Sequence, residues 1–184
     1  MFDPGCANGR RAGHLTDSHS TCDASAHHCW LMRRDLARLA PLPRWPAALS
    51  LVPFHADLAP EIHNLLVQGY EHGGGSVTGY ASWLNSLQTD PEFDPALCFI
   101  AYDAHGLVGI LQAWTSAFIK DLVVHPRGRR QGSGAALLNH AFAVFRHRGE
   151  GQLDLKVMEN NLGARRLYEK AGMRYVQRTE VEQG

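Results

Sequence analysis

The residues of this chain that could do chemistry concentrate between positions 119 and 168. Ile119, Leu122, Val123 and Val124 form an apolar run that stops at His125-Pro126, where proline can no longer donate to a β-ladder. Arg129, Arg130, Gln131, Gly132, Ser133, Gly134 and Ala135 follow, and helical spacing then resumes through Leu138, Phe142 and Phe145. A cationic, glycine-rich turn feeding a helix presents free N–H groups at the positive end of the helix dipole, and glycines let an anion approach the main chain. The predicted ligand is a phosphate. Downstream, Asn161 is a good helix cap, and Tyr168 is a phenol protonated at neutral pH, since tyrosine titrates near roughly 10.

Two common phosphate motifs do not fit. A P-loop needs Gly-Lys followed by Ser or Thr, whereas Gly128 is followed by Arg129, Arg130, Gln131, Gly132 and Ser133. A dinucleotide fingerprint would use Gly132 and Gly134 but meets Leu137 where its last small residue belongs, and Asp154 reads as mid-strand. The pattern Arg129-x-x-Gly132-x-Gly134, between a Leu122-x-Val124-x-Pro126 strand and a leucine-rich helix, resembles the acetyl-CoA loop of the GNAT acyltransferase superfamily. The run Asn161-x-x-Ala164-x-x-Leu167-Tyr168-x-x-x-Gly172 resembles that family's second motif. The two occur in order across positions 118–176.

The resemblance implies acetyl transfer from acetyl-CoA, as co-substrate, to a primary amine of a small molecule or peptide, directly in a ternary complex. It implies that the loop from Arg129 to Ala135 holds the pyrophosphate, that main-chain groups of Leu122, Val123 and Val124 bind the pantetheine arm, that Asn161 contacts that arm or the pyrophosphate, and that Tyr168 stands near the sulfur as proton donor. In several family members a glutamate opens the Glu-Asp-Leu of the same strand; here the residues are Lys120-Asp121-Leu122. The lysine argues against a polyamine unless it points away, and leaves Asp121, Glu92 or a water chain as the base. The intact loop beside this altered carboxylate keeps a non-catalytic acyl-CoA-binding or regulatory module as the alternative. Asp90, Glu92 and Asp94 form an acidic patch that could attract an amine, and Trp114 either lines an acceptor pocket or packs in the sheet.

With 184 residues and 18 Lys plus Arg against 18 Asp plus Glu, one domain without a global basic field is expected, which argues against nucleic acid. No run approaches the roughly 20 apolar residues of a membrane span. Without the apolar core of a signal peptide, a cytoplasmic protein with four free thiols is expected. Residues 1–31 lack periodicity and read as a flexible leader, with residues 1–46 preceding the domain at 47–184 and Met32 as a conceivable start. Cys22, His27, His28 and Cys29, with His14 and His19 nearby, were weighed as a zinc site; the spacing fits no common finger, and no metal is predicted.

The elements that must position these residues are a first strand in 48–54, a helix carrying Leu58, Ile62, Leu65 and Leu66 with His63 near its polar face, and a second helix carrying Tyr80, Trp83, Leu84 and Leu87. The first helix should start at Asp57 and end at Gly73-Gly74-Gly75, and Ser76 or Thr78 should cap the second. A hairpin turns at Asp103-Ala104-His105-Gly106, and a fifth strand alternates through Leu153, Leu155 and Val157. The expected fold is α/β, a mixed, mostly antiparallel sheet flanked by helices. Only Met173 to Val181 remains for a last strand where the resemblance implies two, so a strand could be missing or supplied by a partner in a homodimer.

Overall fold

The computed structural model describes residues 27–37, 45–71 and 77–181. They form one seven-stranded sheet in the order β2-β3-β4-β5-β6-β1-β7. The strands are β1 (His27–Asp35), β2 (Ser50–Val52), β3 (Phe93–Asp103), β4 (Gly106–Trp114), β5 (Phe118–Val124), β6 (Gln152–Met158) and β7 (Arg174–Val181). Helices α1 (Ala59–Tyr70) and α2 (Tyr80–Thr89) cover one face, where Ile62, Leu66, Trp83 and Leu87 pack on Ile100, Ile110 and Val123. Helices α3 (Ser133–His147) and α4 (Leu162–Lys170) cover the other, with Leu137, Phe142 and Phe145 on Leu111, Leu153 and Leu155. All pairings are antiparallel except β5 with β6, so the mixed, mostly antiparallel α/β sandwich is as expected.

The amino-terminal boundary needs correction. Residues 27–35, expected to lie in a flexible extension, form β1, which pairs with β6 from Cys29↔Met158 to Asp35↔Gln152 and with β7 from His27↔Val181 to Arg33↔Arg174. Met32 is fully buried on the α3 side, and Trp30 packs edge-on against Tyr175 at 4.9 Å. The place expected to be empty or filled by a partner chain is thus taken by this chain's own strand. Of the residues considered for zinc, His27, His28 and Cys29 lie in β1, while His14, His19 and Cys22 lie outside the described residues, as do Ser76 and the glycines from 73 to 75.

Two local expectations on the α1 face also change. The Asp57 cap is replaced by a turn of 3-10 helix at Ala56–Leu58. Gly79, with no side-chain bond, caps α2, so Thr78 does not. His63 is buried rather than solvent-facing: Nε2 donates to the Thr78 carbonyl at 2.8 Å, and the ring packs against Trp83 at 5.3 Å. This bond ties α1 to the chain entering α2.

Candidate active site

The site begins with an irregularity in β5. Gln112 pairs with Asp121 but Ala113 pairs with Ile119, so Lys120 is an extra residue, a β-bulge. Alternation is therefore reset. Ile119 and Leu122 pack with the α3 side, whereas Asp121 and Val123 turn to α1. Lys120 itself points away, with Nζ 5.6 Å over the ring of Trp114.

Beyond the bulge, β5 parts from β6. Their parallel ladder consists of Phe118↔Asp154 and Ile119↔Leu155. The His125 N–H donates to the Val108 carbonyl at 2.8 Å. By alternation from that bond, the main-chain groups of Val123 face β4, and those of Leu122 and Val124 face the opening. This corrects the expectation for Val123, whose main chain is used by the sheet and whose side chain packs toward α1. The Val124 carbonyl accepts from Arg129 Nε at 3.1 Å, which leaves its N–H toward the cleft.

The turn that follows is anchored by Arg127. Its guanidinium donates to Asp103 at 3.0 and 3.2 Å and to the Leu107 carbonyl at 2.7 Å, fastening the loop to the β3–β4 hairpin. The hydrogen bond from Arg127 is the main reason that Asp103 titrates below its usual range. Gln131 donates to the Arg127 carbonyl at 2.6 Å, and Ser133 Oγ donates to the Gly128 carbonyl at 3.1 Å. The side chains of Gln131 and Ser133 therefore shape the loop rather than reach outward. Arg129 and Arg130 are exposed, and Arg130 holds a left-handed φ of 60°. Gly132, at φ 86°, is the N-cap of α3 with no side-chain bond, and Ala136 N–H makes the first helical bond, 2.9 Å to the Gly132 carbonyl. The N–H groups of Ser133, Gly134 and Ala135 precede it, so the helix start is open to an anion.

On the far wall, Asn161 Oδ1 accepts from the Ala164 N–H at 3.1 Å and caps α4. Tyr168, about two turns further on, is buried. Burial, and then the charge of Asp121, raise its pKa well above the ordinary tyrosine value. A residue of the α4 layer and one of the α1 layer thus sense each other across the parted strands.

Asp121 has a partner that sequence reasoning missed. Tyr70, the last residue of α1, donates to Asp121 Oδ1 at 2.5 Å. Burial raises the Asp121 pKa, while the Tyr70 bond and the Lys120 charge oppose that rise. In the same row of the sheet lie Gln112 and Cys98, opposite one another and Asp121. Gln112 is 1% exposed, and its Nε2 has no hydrogen-bond partner among the described residues. Cys98 is a free thiol pushed up to about 12 by burial. The signal for Tyr70 was available only as Gly69-Tyr70 at a helix end, which has no meaning until the helix is docked.

The acidic patch is occupied by structural contacts. Asp90 accepts from Trp114 Nε1 at 3.0 Å, Glu92 from the Ser116 N–H at 3.2 Å, and Asp94 from Arg148 at 2.9 Å. Trp114 also stacks on Phe118 at 5.4 Å, so it belongs to this end of the sheet. A separate cleft of about 670 Å³ lies by β1 and β7, lined by Arg33, Arg34, Glu169, Arg174 and Tyr175. Arg33 there is paired with Asp154, Arg34 with the Gly172 carbonyl, and Tyr175 with Glu169.

A strand that parts from its parallel neighbour, next to a helix start with open N–H groups, forms a cleft suited to an anionic ligand. Residues 59–173 match the acetyltransferase (GNAT) family, and the chain belongs to that family. It is 32% identical to a mycothiol acetyltransferase of Thermobispora bispora over 163 residues, covering 80% of this chain and 54% of that protein. A mycothiol acetyltransferase of Geodermatophilus obscurus is 28% identical, covering 77% and 50%. The chain thus spans about half the length of these curated relatives. Among solved structures, a GCN5-related N-acetyltransferase from Sphaerobacter thermophilus superposes with a TM-score of 0.72 at 26% identity, covering 83% of this chain and 50% of that one. The ribosomal-protein-S18-alanine N-acetyltransferase of Escherichia coli shares the fold, with a TM-score of 0.56 at 22% identity, covering 70% and 79%. No described helix is long and apolar enough to cross a membrane.

Proposed function

We propose that this chain transfers an acetyl group from acetyl-CoA to the primary amine of a small molecule, by direct attack with no covalent enzyme intermediate. The observation that carries the reading is the half-buried Asp121, turned by the Lys120 bulge to one side of the parted strands while Tyr168 stands on the other. The open N–H groups of Ser133, Gly134 and Ala135, with Arg129 and Arg130 beside them, fit a pyrophosphate, and the Leu122 main chain fits an amide-bearing arm. Acetyl-CoA, when bound there, supplies the activated acyl group and a thiolate leaving group.

An amine reaches the site as an ammonium and must lose a proton before it attacks. Asp121 accepts that proton, and with Glu92 held by Ser116 it is the carboxylate placed to do so. The Val124 N–H donates to the oxyanion that develops at the carbonyl. Tyr168, kept protonated by burial and by Asp121, gives its proton to the departing sulfur. Asp121 passes the first proton, taken from the ammonium, to solvent, and the tetrahedral adduct then sheds a second proton to Asp121, which returns it to the tyrosinate, so nitrogen loses two protons, one to solvent and one to sulfur. The Lys120 ammonium lies over Trp114, and its charge reaches Asp121, where it favours the carboxylate that takes the proton. The name of the curated relatives favours a small-molecule acceptor over a peptide. The test is an acetyl-CoA-dependent screen of amines, amino acids, amino sugars and peptides with product mass detection. Acetylated product with stoichiometric release of CoA is expected; tight CoA binding without product from any amine would favour a non-catalytic acyl-CoA module instead.

A further inference from the structure

We propose that Tyr70 is a positioning residue for this reaction, fixing the Asp121 carboxylate on the acceptor side of the cleft and supporting its ionised form. The inference rests on the reading of Asp121 as the base that takes the proton of the amine. Three features, from the end of α1 and from β5, build the contact. The Lys120 bulge turns Asp121 toward α1, where the uninterrupted alternation of β5 would have sent it to the opposite face. Gly69 lets the end of α1 approach β5 so closely that a β-carbon there would lie 2.4 Å from Val123 Cγ1. Tyr70 then delivers its hydroxyl to Asp121 Oδ1 at 2.5 Å. A glycine near the end of a helix weakens it, and here it serves to bring the following phenol within bonding distance of a half-buried acid.

The groups facing Asp121 show why this one donor matters. From β4 comes Gln112, neutral, and from β3 Cys98, whose buried thiol stays protonated. Tyr168 from α4 is a neutral phenol at physiological pH. Lys120 is the nearby cation, but its ammonium is drawn over Trp114. Tyr70 is therefore the group in direct hydrogen-bond contact that favours the carboxylate over the acid. Its own pKa is raised by burial and then by the Asp121 charge, so it remains a donor throughout the working range. Without the phenol, burial is less opposed and Asp121 holds its proton to higher pH, where it cannot take another.

Tyr70→Phe removes the hydroxyl and keeps the ring. The Asp121 carboxyl is titrated by carbon NMR in the protein free of substrates, wild type against variant, and the pH profile of kcat/KM for the acceptor is measured in parallel. The Asp121 titration is expected to move to higher pH, the acidic limb to move with it, and kcat/KM at the pH of the wild-type limb to fall by roughly 10-fold, with the KM for acetyl-CoA unchanged. If Tyr70→Phe does not fold, 3-fluorotyrosine at the same position keeps the hydroxyl, makes it more acidic, and should move the titration to lower pH. An unchanged Asp121 titration overturns the role of Tyr70. A shifted titration with an unmoved acidic limb overturns Asp121 as the base, and with it the catalytic part of the proposal.

Discussion

Gly69→Ala is the smallest change that tests how the site is assembled. The added β-carbon would lie 2.4 Å from Val123 Cγ1, 3.0 Å from Cγ2 and 3.3 Å from Cβ. Rotating the valine does not clear it, because both methyls and the branch point are close and β-branched side chains have few rotamers. Ordinary contact begins at 3.4 Å, so α1 and β5 must separate by about 1 Å. The same movement would stretch the 2.5 Å bond between Tyr70 and Asp121 to about 3.5 Å, beyond hydrogen-bonding reach. Overpacking costs about 1–3 kcal/mol, and alanine in place of glycine in a helix returns at most about 1 kcal/mol. A net destabilisation of about 1–2 kcal/mol is expected in urea unfolding, together with an upward shift of the Asp121 titration like that of Tyr70→Phe. Val123→Ala in the same chain should relieve the clash, giving a coupling of about 1 kcal/mol or more in a double-mutant cycle. A Gly69→Ala protein that is more stable than wild type, with Asp121 titrating as before, would refute the close-approach argument.

Three further outcomes are expected. Tyr168→Phe should lower kcat by roughly 10²-fold with little change in the KM for acetyl-CoA; a wild-type rate across the pH range would remove Tyr168 from proton transfer. Gly132→Val forces a β-branched residue to a φ of 86°, which should cost about 1–2 kcal/mol and raise the KM for acetyl-CoA several-fold, as read by thermal unfolding and initial rates. Deleting residues 1–31 removes the half of β1 that carries Cys29 and Trp30, and should abolish cooperative unfolding in circular dichroism; a truncated chain with an unchanged melting temperature would show that β1 is dispensable.

The glycine-rich turn into α3, the β3–β4 hairpin and the α4 cap were legible because each is written locally, in proline, glycine and asparagine at fixed offsets. β1 was not. Its apolar residues Cys29, Trp30, Leu31 and Met32 are consecutive rather than alternating, and Arg33 and Arg34 follow on both faces of the strand. Its pairing partners lie more than a hundred residues away, so only tertiary contact makes it a strand. Asp121 could be nominated from its motif, but its direction could not be read, because a one-residue bulge inverts the face of everything after it. Tyr70 was invisible for the same reason at the next level: its meaning depends on the docking of α1. Glu92 looked as eligible as Asp121 until its carboxylate was seen holding Ser116.

The placement of β1 has a consequence for the order in which the molecule can be completed. As the chain is synthesised, β1 emerges first among the described strands, yet both of its neighbours, β6 and β7, emerge last. Among the described residues, and apart from β1, β6 has only its two-pair ladder with β5, and β7 has no other strand beside it. The α1 side and the β2–β5 meander can form while synthesis continues, but the wall that carries Tyr168 must await closure of a loop spanning most of the chain. Assembly of the half holding Asp121 and assembly of the half facing it are thus separated in time, and the cleft comes into being only when the two ends of the described chain meet.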